Sequence, residues 1–184
     1  MRKDFGAKPY LFPQPVLIIG TYNEDGSANA MNAAWGGIAG ADEIIIGLPS
    51  HKTTDNILLN KAFTVSVGDV EHLAACDYVG LVSAKNEPRK MEKAGFTTTK
   101  SAFVNAPVIN ELPLTLECEL VKVIDGCKYL GVIKNVSADE CILGEDGTID
   151  PGKLRAISFD PVHHAYLELG EKVGSAFQDG AALK

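Results

Sequence analysis

Cysteine is scarce in this chain, with four residues (Cys76, Cys118, Cys127 and Cys141) among 184 and no CxxC spacing. That pattern argues against a secreted disulfide scaffold and fits free intracellular thiols, with Cys118 and Cys141 expected as buried or half-buried strand residues. Basic residues are outnumbered, 17 Lys and Arg against 24 Asp and Glu, for a net charge of −7. Without clustered cations no nucleic-acid surface is expected. No apolar run reaches membrane-spanning length, and Met1-Arg2-Lys3-Asp4 does not open a leader peptide, so a cytoplasmic protein with no membrane contact is expected. There is no Gly-x-Gly-x-x-Gly after a strand and no Walker motif, which removes a Rossmann site and a P-loop.

Catalytic constellations are missing too. No Ser-His-Asp, Cys-His or paired-carboxylate arrangement stands out, so catalytic residues are left unassigned. His163 and His164 are neighbours whose side chains point oppositely in an extended segment, and no third ligand follows at metal spacing, so no metal is expected. His72 reads as a surface or capping residue on a short helix, with nothing nearby in sequence to partner it.

What is present begins with residues 15–57. Residues 16–22 are a β-rich apolar run, Asn23-Glu24-Asp25-Gly26 is turn chemistry, and residues 27–32 return as the second strand of a hairpin. The return strand leads through Asn29, Met31 and Asn32 to Ala33, Ala34 and the only tryptophan, Trp35: small residues, amides and one flat aromatic, a surface suited to a flat polar ring. Trp35 could equally be a core residue. After a strand at 43–48, Ser50, Thr53, Thr54 and Asp55 precede an apolar Ile57-Leu58-Leu59 and mark a helix start. Free backbone N–H groups there, with His51 and Lys52, can receive an anion, or the hydroxyls can simply cap the helix.

The remainder is mostly strand at hairpin spacing. Residues 1–14 form an extended lead-in expected to pack on the body. Strand at 62–67 and helix at 70–78 follow, and then an amphipathic 87–94 whose cations, Lys90 among them, read as a solvated face. Residues 114–124 alternate, with Leu116, Cys118, Leu120 and Ile124 inward and Glu117, Glu119 and Lys122 outward. Asp125-Gly126 turns the chain into 129–136, and residues 156–159 form a short strand. The expectation is one domain over 1–184, mainly β, a closed Greek-key barrel with a few short helices.

Pro15-Val16, Asp25-Gly26, the Asn29-Ala30-Met31-Asn32-Ala33-Ala34-Trp35 segment and Thr53-Thr54-Asp55-Asn56-Ile57 resemble, in order and spacing, the flavin reductase-like FMN-binding proteins, the family that includes flavoredoxin. Tyr78-Val79-Gly80, Lys90 to Gly95, Leu116-Glu117-Cys118 and Tyr166 to Gly170 extend the likeness over nearly the whole chain. The resemblance implies the FMN-binding split-barrel fold, a homodimer whose subunits jointly cover each flavin, and FMN as cofactor. It implies ring contacts from Asn29 to Ala34 with Trp35 beside them, and phosphate contacts from Ser50, Lys52, Thr53 and Thr54, with Asn56 completing the segment. Lys90 is a further cation within reach of a flavin or nicotinamide phosphate in such a family. The sequence departs from the family at Cys127, where a histidine is usual, and at Gly131-Val132-Ile133 in place of Gly-Glu-Val.

The activity implied is electron transfer between NADH or NADPH and flavin by an oxidoreductase. The alternative is a flavoredoxin-like FMN carrier handing electrons to a redox protein partner. A flavin-free barrel is the third reading.

Overall fold

The computed structural model describes residues 1–183. In chain order the elements are β1 (Gln14–Pro15), β2 (Leu17–Tyr22), β3 (Ala28–Ala33), β4 (Gly36–Ile38), β5 (Glu43–Gly47), α1 (Lys52–Asn60), β6 (Ala62–Val67), α2 (Leu73–Leu81) and α3 (Lys90–Ala94). They continue as β7 (Thr98–Lys100), β8 (Pro107–Ile109), β9 (Leu114–Ile124), β10 (Lys128–Ala138), α4 (Pro151–Leu154), β11 (Ile157–Asp160) and β12 (Ala165–Glu168). Short 3-10 turns lie at Glu140–Ile142 and Asp179–Leu183.

A seven-stranded antiparallel sheet, ordered β3-β2-β6-β9-β10-β5-β4, is the frame. Its inner face gathers Leu17, Ile19, Ile44, Ile46, Phe63, Val65, Cys118 and Tyr129 into one core, closed at one end by Ile57 of α1. Side chains from strands across the sheet meet in a single cluster because the sheet curls, and β3 and β4 are the two edges that hydrogen bonding leaves split. The outer face carries a second core, in which Val16, Ile18 and Ala30 pack under Cys76 and Val79 of α2, Phe96, Ile109 and Ile157. Two-sided burial explains why β2 and β6 read as nearly continuous apolar or small-residue runs. Gly131 sits where β10 crosses Phe63: a Cβ there would lie 2.6 Å from Phe63 Cζ.

Several expectations change in the folded chain. His72 precedes α2, and its Nδ1 lies 3.0 Å from Asp69 Oδ1, so a partner does exist three residues back in sequence. Glu117 is buried at 3% exposure, because Asn135 and the Ser101 hydroxyl both donate to its carboxylate. Cys141 is exposed on a 3-10 turn; Cys118 is buried as expected, its thiol pushed up to about 12 by desolvation. Residues 1–13 are exposed on this chain rather than packed against it. Among the described residues no helix is long and apolar enough to cross a membrane, and no three His, Cys, Asp or Glu group to hold a metal.

Candidate functional site

The edge strand β3 presents one face to the inner core and the other to α2, and a trough runs along it. Its first part, about 370 Å³, is lined by Asp25, Ser27, Asn29, Lys52 and Lys90 among others. The middle part, about 260 Å³, shares Asn29, Lys52 and Lys90 with the first and adds Met31, Asn32, His51 and Thr53. The last part, about 300 Å³, shares Asn32, Gly80 and Leu81 with the middle and ends on Ala33, Ala34, Trp35, Phe159 and Tyr166.

A network of buried amides and hydroxyls fixes the α1 end. Asn29 Nδ2 donates to Thr53 Oγ1 at 2.9 Å, and Asn56 Nδ2 donates to Thr21 Oγ1 at 3.1 Å and Asn23 Oδ1 at 2.8 Å. Thr54 Oγ1 accepts the His51 N–H at 2.9 Å and donates to the His51 carbonyl at 2.7 Å, which closes the first turn of the helix. The start of α1 is thereby held against β3, with its dipole and free N–H groups at the trough.

At the other end, the Tyr166 hydroxyl donates to Asp77 Oδ1 at 2.7 Å, while Asn32 Nδ2 donates to the Cys76 carbonyl at 3.0 Å and reaches Tyr166 Oη at 3.4 Å. Burial first, and then the bond to Asp77, pushes the Tyr166 phenol above its ordinary range, so it stays protonated as a donor. Gly80 lets α2 approach β3: a Cβ there would stand 3.0 Å from Asn32 Cβ. Gly80→Val is expected to lower stability by about 1–3 kcal/mol through overpacking. Urea unfolding reads this, and a midpoint at or above the parent's would show that the approach is not tight.

Of the residues singled out in sequence, the trough brings together Asn29, Met31, Asn32, Ala33, Ala34, Trp35, Lys52 and Thr53. Ala30 turns its side chain into the outer core, and Ser50 is exposed outside the three cavities. Thr54 and Asn56 lie behind the wall, in the cap and the amide network. Trp35 is 46% exposed, which rules out the core alternative for it. Lys90 is the largest surprise: the solvated-face reading fails, since it is 3% exposed and lines two of the three cavities. Gly80 was noted only as part of the resemblance at Tyr78-Val79-Gly80, with no role given, and Asp77 was not noted. A Gly inside a helical run was the available signal for the first, and Asp77 left none.

The middle cavity is electropositive by composition. Lys52, Lys90 and His51 line it and no carboxylate does, on a chain of net charge −7. Chemically, the trough offers an anion pocket in its middle and, at the Trp35 end, a flat, partly aromatic ledge with amide and phenol hydrogen-bonding groups.

Comparison with known proteins agrees with this layout. A sequence profile described as the flavin reductase like domain matches residues 10–156. The fold superposes on flavoredoxin of Desulfovibrio vulgaris (Miyazaki F) with a TM-score of 0.94 and 33% identity, covering 98% of this chain and 100% of that one. Flavoredoxin from Methanosarcina acetivorans gives 0.88 and 26%, covering 100% of both chains. A putative flavin reductase with split barrel domain from Shewanella frigidimarina NCIMB 400 gives 0.75 and 20%, over 88% of this chain and 84% of that one, a likeness of fold. Since the matched profile runs from the lead-in to the strand-rich C-terminal third, and the curled sheet with its edge trough is the same fold, the chain belongs to the flavin reductase-like family.

Proposed function

We propose that the chain is an FMN-binding oxidoreductase whose flavin lies along β3, phosphate toward the start of α1 and ring toward Trp35. The observation that carries this reading is the continuous trough, anion-seeking in the middle and flat at the end, on an otherwise acidic protein. The donor set fits the cofactor: lysines and helix N–H groups for a phosphate, amides for a polyol or ring edge, and small residues where a ring must approach the backbone. When bound, FMN supplies the hydride and single-electron chemistry. The protein's part is to bind, orient and shield. Asn29 and Asn32 hold amide groups at the wall, Tyr166 is fixed there by the proton it gives to Asp77, and half-exposed Trp35 borders the open side of the ledge.

The donor in this reading is a reduced nicotinamide, NADH or NADPH, approaching the free face of the ring from solvent. Anaerobic titration with each nicotinamide tests it. Flavin absorbance near the visible maximum is expected to bleach within the mixing time, and a spectrum unchanged by both nicotinamides would remove the reductase reading. The end-to-end likeness to flavoredoxin favours a second reading, an electron carrier reduced only by a protein partner. In that case bleaching needs a redox protein in the cuvette. A cytoplasmic setting accords with four free thiols.

The proposal includes a homodimer. Phe5, Leu11, Phe12, Val173 and Phe177 are exposed on the two terminal segments, and Trp35 and Ile38 on the sheet edge, apolar side chains that a second copy of the chain would cover. Sedimentation equilibrium is expected to return twice the chain mass, and a monomer at micromolar concentration would overturn this part.

A further inference from the structure

We infer that residues 82–89 form a strap between the two walls of the trough, latched by the Lys85–Asp55 ion pair, and that its opening sets how fast flavin enters and leaves. This rests on the flavin reading above and adds a rate to it. The two walls are built differently. One is β3 with the start of α1, tied together by buried amides and hydroxyls. The other is α2, residues 82–89 and α3 in succession, with Ala84 lining both the first and the middle cavity and Pro88 the first. Both helices are anchored in the outer core, α2 through buried Cys76 and Val79, α3 through Met91 and Ala94 packed against it. Between these anchors no residue from Gly80 to Arg89 is buried, and Val82 leaves α2 with an extended backbone, φ −118° and ψ 144°.

The hydrogen bonds of the strap are its own. The Asn86 and Glu87 N–H groups both donate to the Ser83 carbonyl, at 2.9 and 3.0 Å, and the Lys85 N–H donates to the Ser83 hydroxyl at 3.3 Å. The Arg89 N–H donates to Glu87 Oε1 at 3.2 Å, and the Lys93 ammonium pairs with Glu87 Oε2. All of these lie within residues 83–93. Among the described residues one polar contact joins this unit to the opposite wall: Lys85 Nζ stands 3.4 Å from Asp55 Oδ2, in the first turn of α1. The strap therefore swings away without breaking a backbone hydrogen bond to the rest of the protein, and its opening belongs to the low-energy end of the molecule's motions. Both side chains of the pair are more than half exposed, so the latch is weak and biases the strap instead of locking it.

A latch acts on a step that entry and exit share, whereas a contact with the bound ligand acts mainly on exit. Asp55→Asn removes the latch charge from an exposed position. Stopped-flow mixing of ligand-free protein with excess FMN gives association from the slope and dissociation from the intercept. Both are expected to rise together, by about two- to fivefold, with an affinity within about twofold of the parent's. Direct electrostatics predicts the opposite for exit, since loss of a negative charge near the helix start slows release of an anionic phosphate. Riboflavin, which carries no phosphate, should show the same parallel rise in Asp55→Asn and in Lys85→Met. Raising salt from about 0.05 M to about 0.5 M should speed riboflavin exchange in the parent and leave Asp55→Asn nearly unmoved.

Unchanged rates in Asp55→Asn would overturn the inference, and so would a change confined to dissociation, which marks a ligand contact and not a gate. Hydrogen exchange of the ligand-free proteins, with millisecond-to-second labelling, reads the strap without any flavin. Amides of residues 83–90 are expected to exchange faster in Asp55→Asn while those of β2 and β3 keep their parental rates. Equal exchange in the strap would remove the latch. If neither flavin binds the parent, the flavin reading fails by itself, and the exchange comparison still decides between a latched strap and an unlatched one.

Discussion

Phe63→Ala is expected to lower the stability of the ligand-free protein by about 3–5 kcal/mol and its melting temperature by roughly 10 °C. Phe63 is fully buried in the inner core, among strands from every part of the sheet and Ile57 of α1. Its ring also occupies the space that Gly131 leaves open, 2.6 Å from where a Cβ would stand. That contact accounts for the glycine at a place where β10 shifts register between Leu130 and Gly131. Gly131→Ala alone should therefore destabilise, by about 1–3 kcal/mol. In the double variant the added methyl meets a cavity instead of a ring, so the two losses should fall short of their sum by about 0.5–3 kcal/mol. Chemical denaturation of the four proteins measures the coupling. Strict additivity would mean that glycine is required there for another reason, such as the 3.2 Å approach to the Glu119 carbonyl.

The strands were legible from runs of β-forming residues where burial is continuous, as in β2 and β6, and from turn residues between them. Ala62–Val67 and Leu114–Ile124 read correctly from sequence to the residue, and the β2–β3 hairpin announced itself in Asn23 to Gly26. Alternation failed at Glu117, for a physical reason: the Ser101 hydroxyl, on a loop 16 residues away, and Asn135 of β10 each donate to it and make burial of a carboxylate tolerable. Lys90 failed similarly. An amphipathic pattern assigns charge to solvent, and only the folded chain reveals that this position of α3 faces a cavity walled by α1 and β3. His72 was missed on a shorter scale, since an aspartate three residues earlier is within reach only when the intervening backbone turns. The residues Asn29 to Trp35 were legible as a group but not in their division: strand geometry sends Ala30 to the outer core while Asn29 and Met31 line the trough.

Asn56→Ala is expected to cost about 2–4 kcal/mol of stability and, in the flavin-binding reading, about tenfold in FMN affinity. Asn56 is fully buried on the inner side of α1, and its Nδ2 serves Thr21 and Asn23 together. Removing it leaves buried Thr21 and half-buried Asn23 without that donor and opens a void beneath the helix. Thr21 also accepts from Asn29 Nδ2 at 3.4 Å, and Asn29 in turn donates to Thr53 in the first turn of α1. The disturbance thus reaches the helix start by two contacts. Asn56 touches none of the three cavities, so any affinity change must pass through positioning of that helix start. Asn105→Ala, which removes only an exposed bond to Asn60, is the matched control and should stay within about 0.5 kcal/mol of the parent. Urea unfolding paired with FMN titration separates the two effects. A destabilised Asn56→Ala protein that still binds FMN with parental affinity would mean that the amide network serves the fold alone, and that α1 keeps its place at the trough through the Ile57 contact with the inner core.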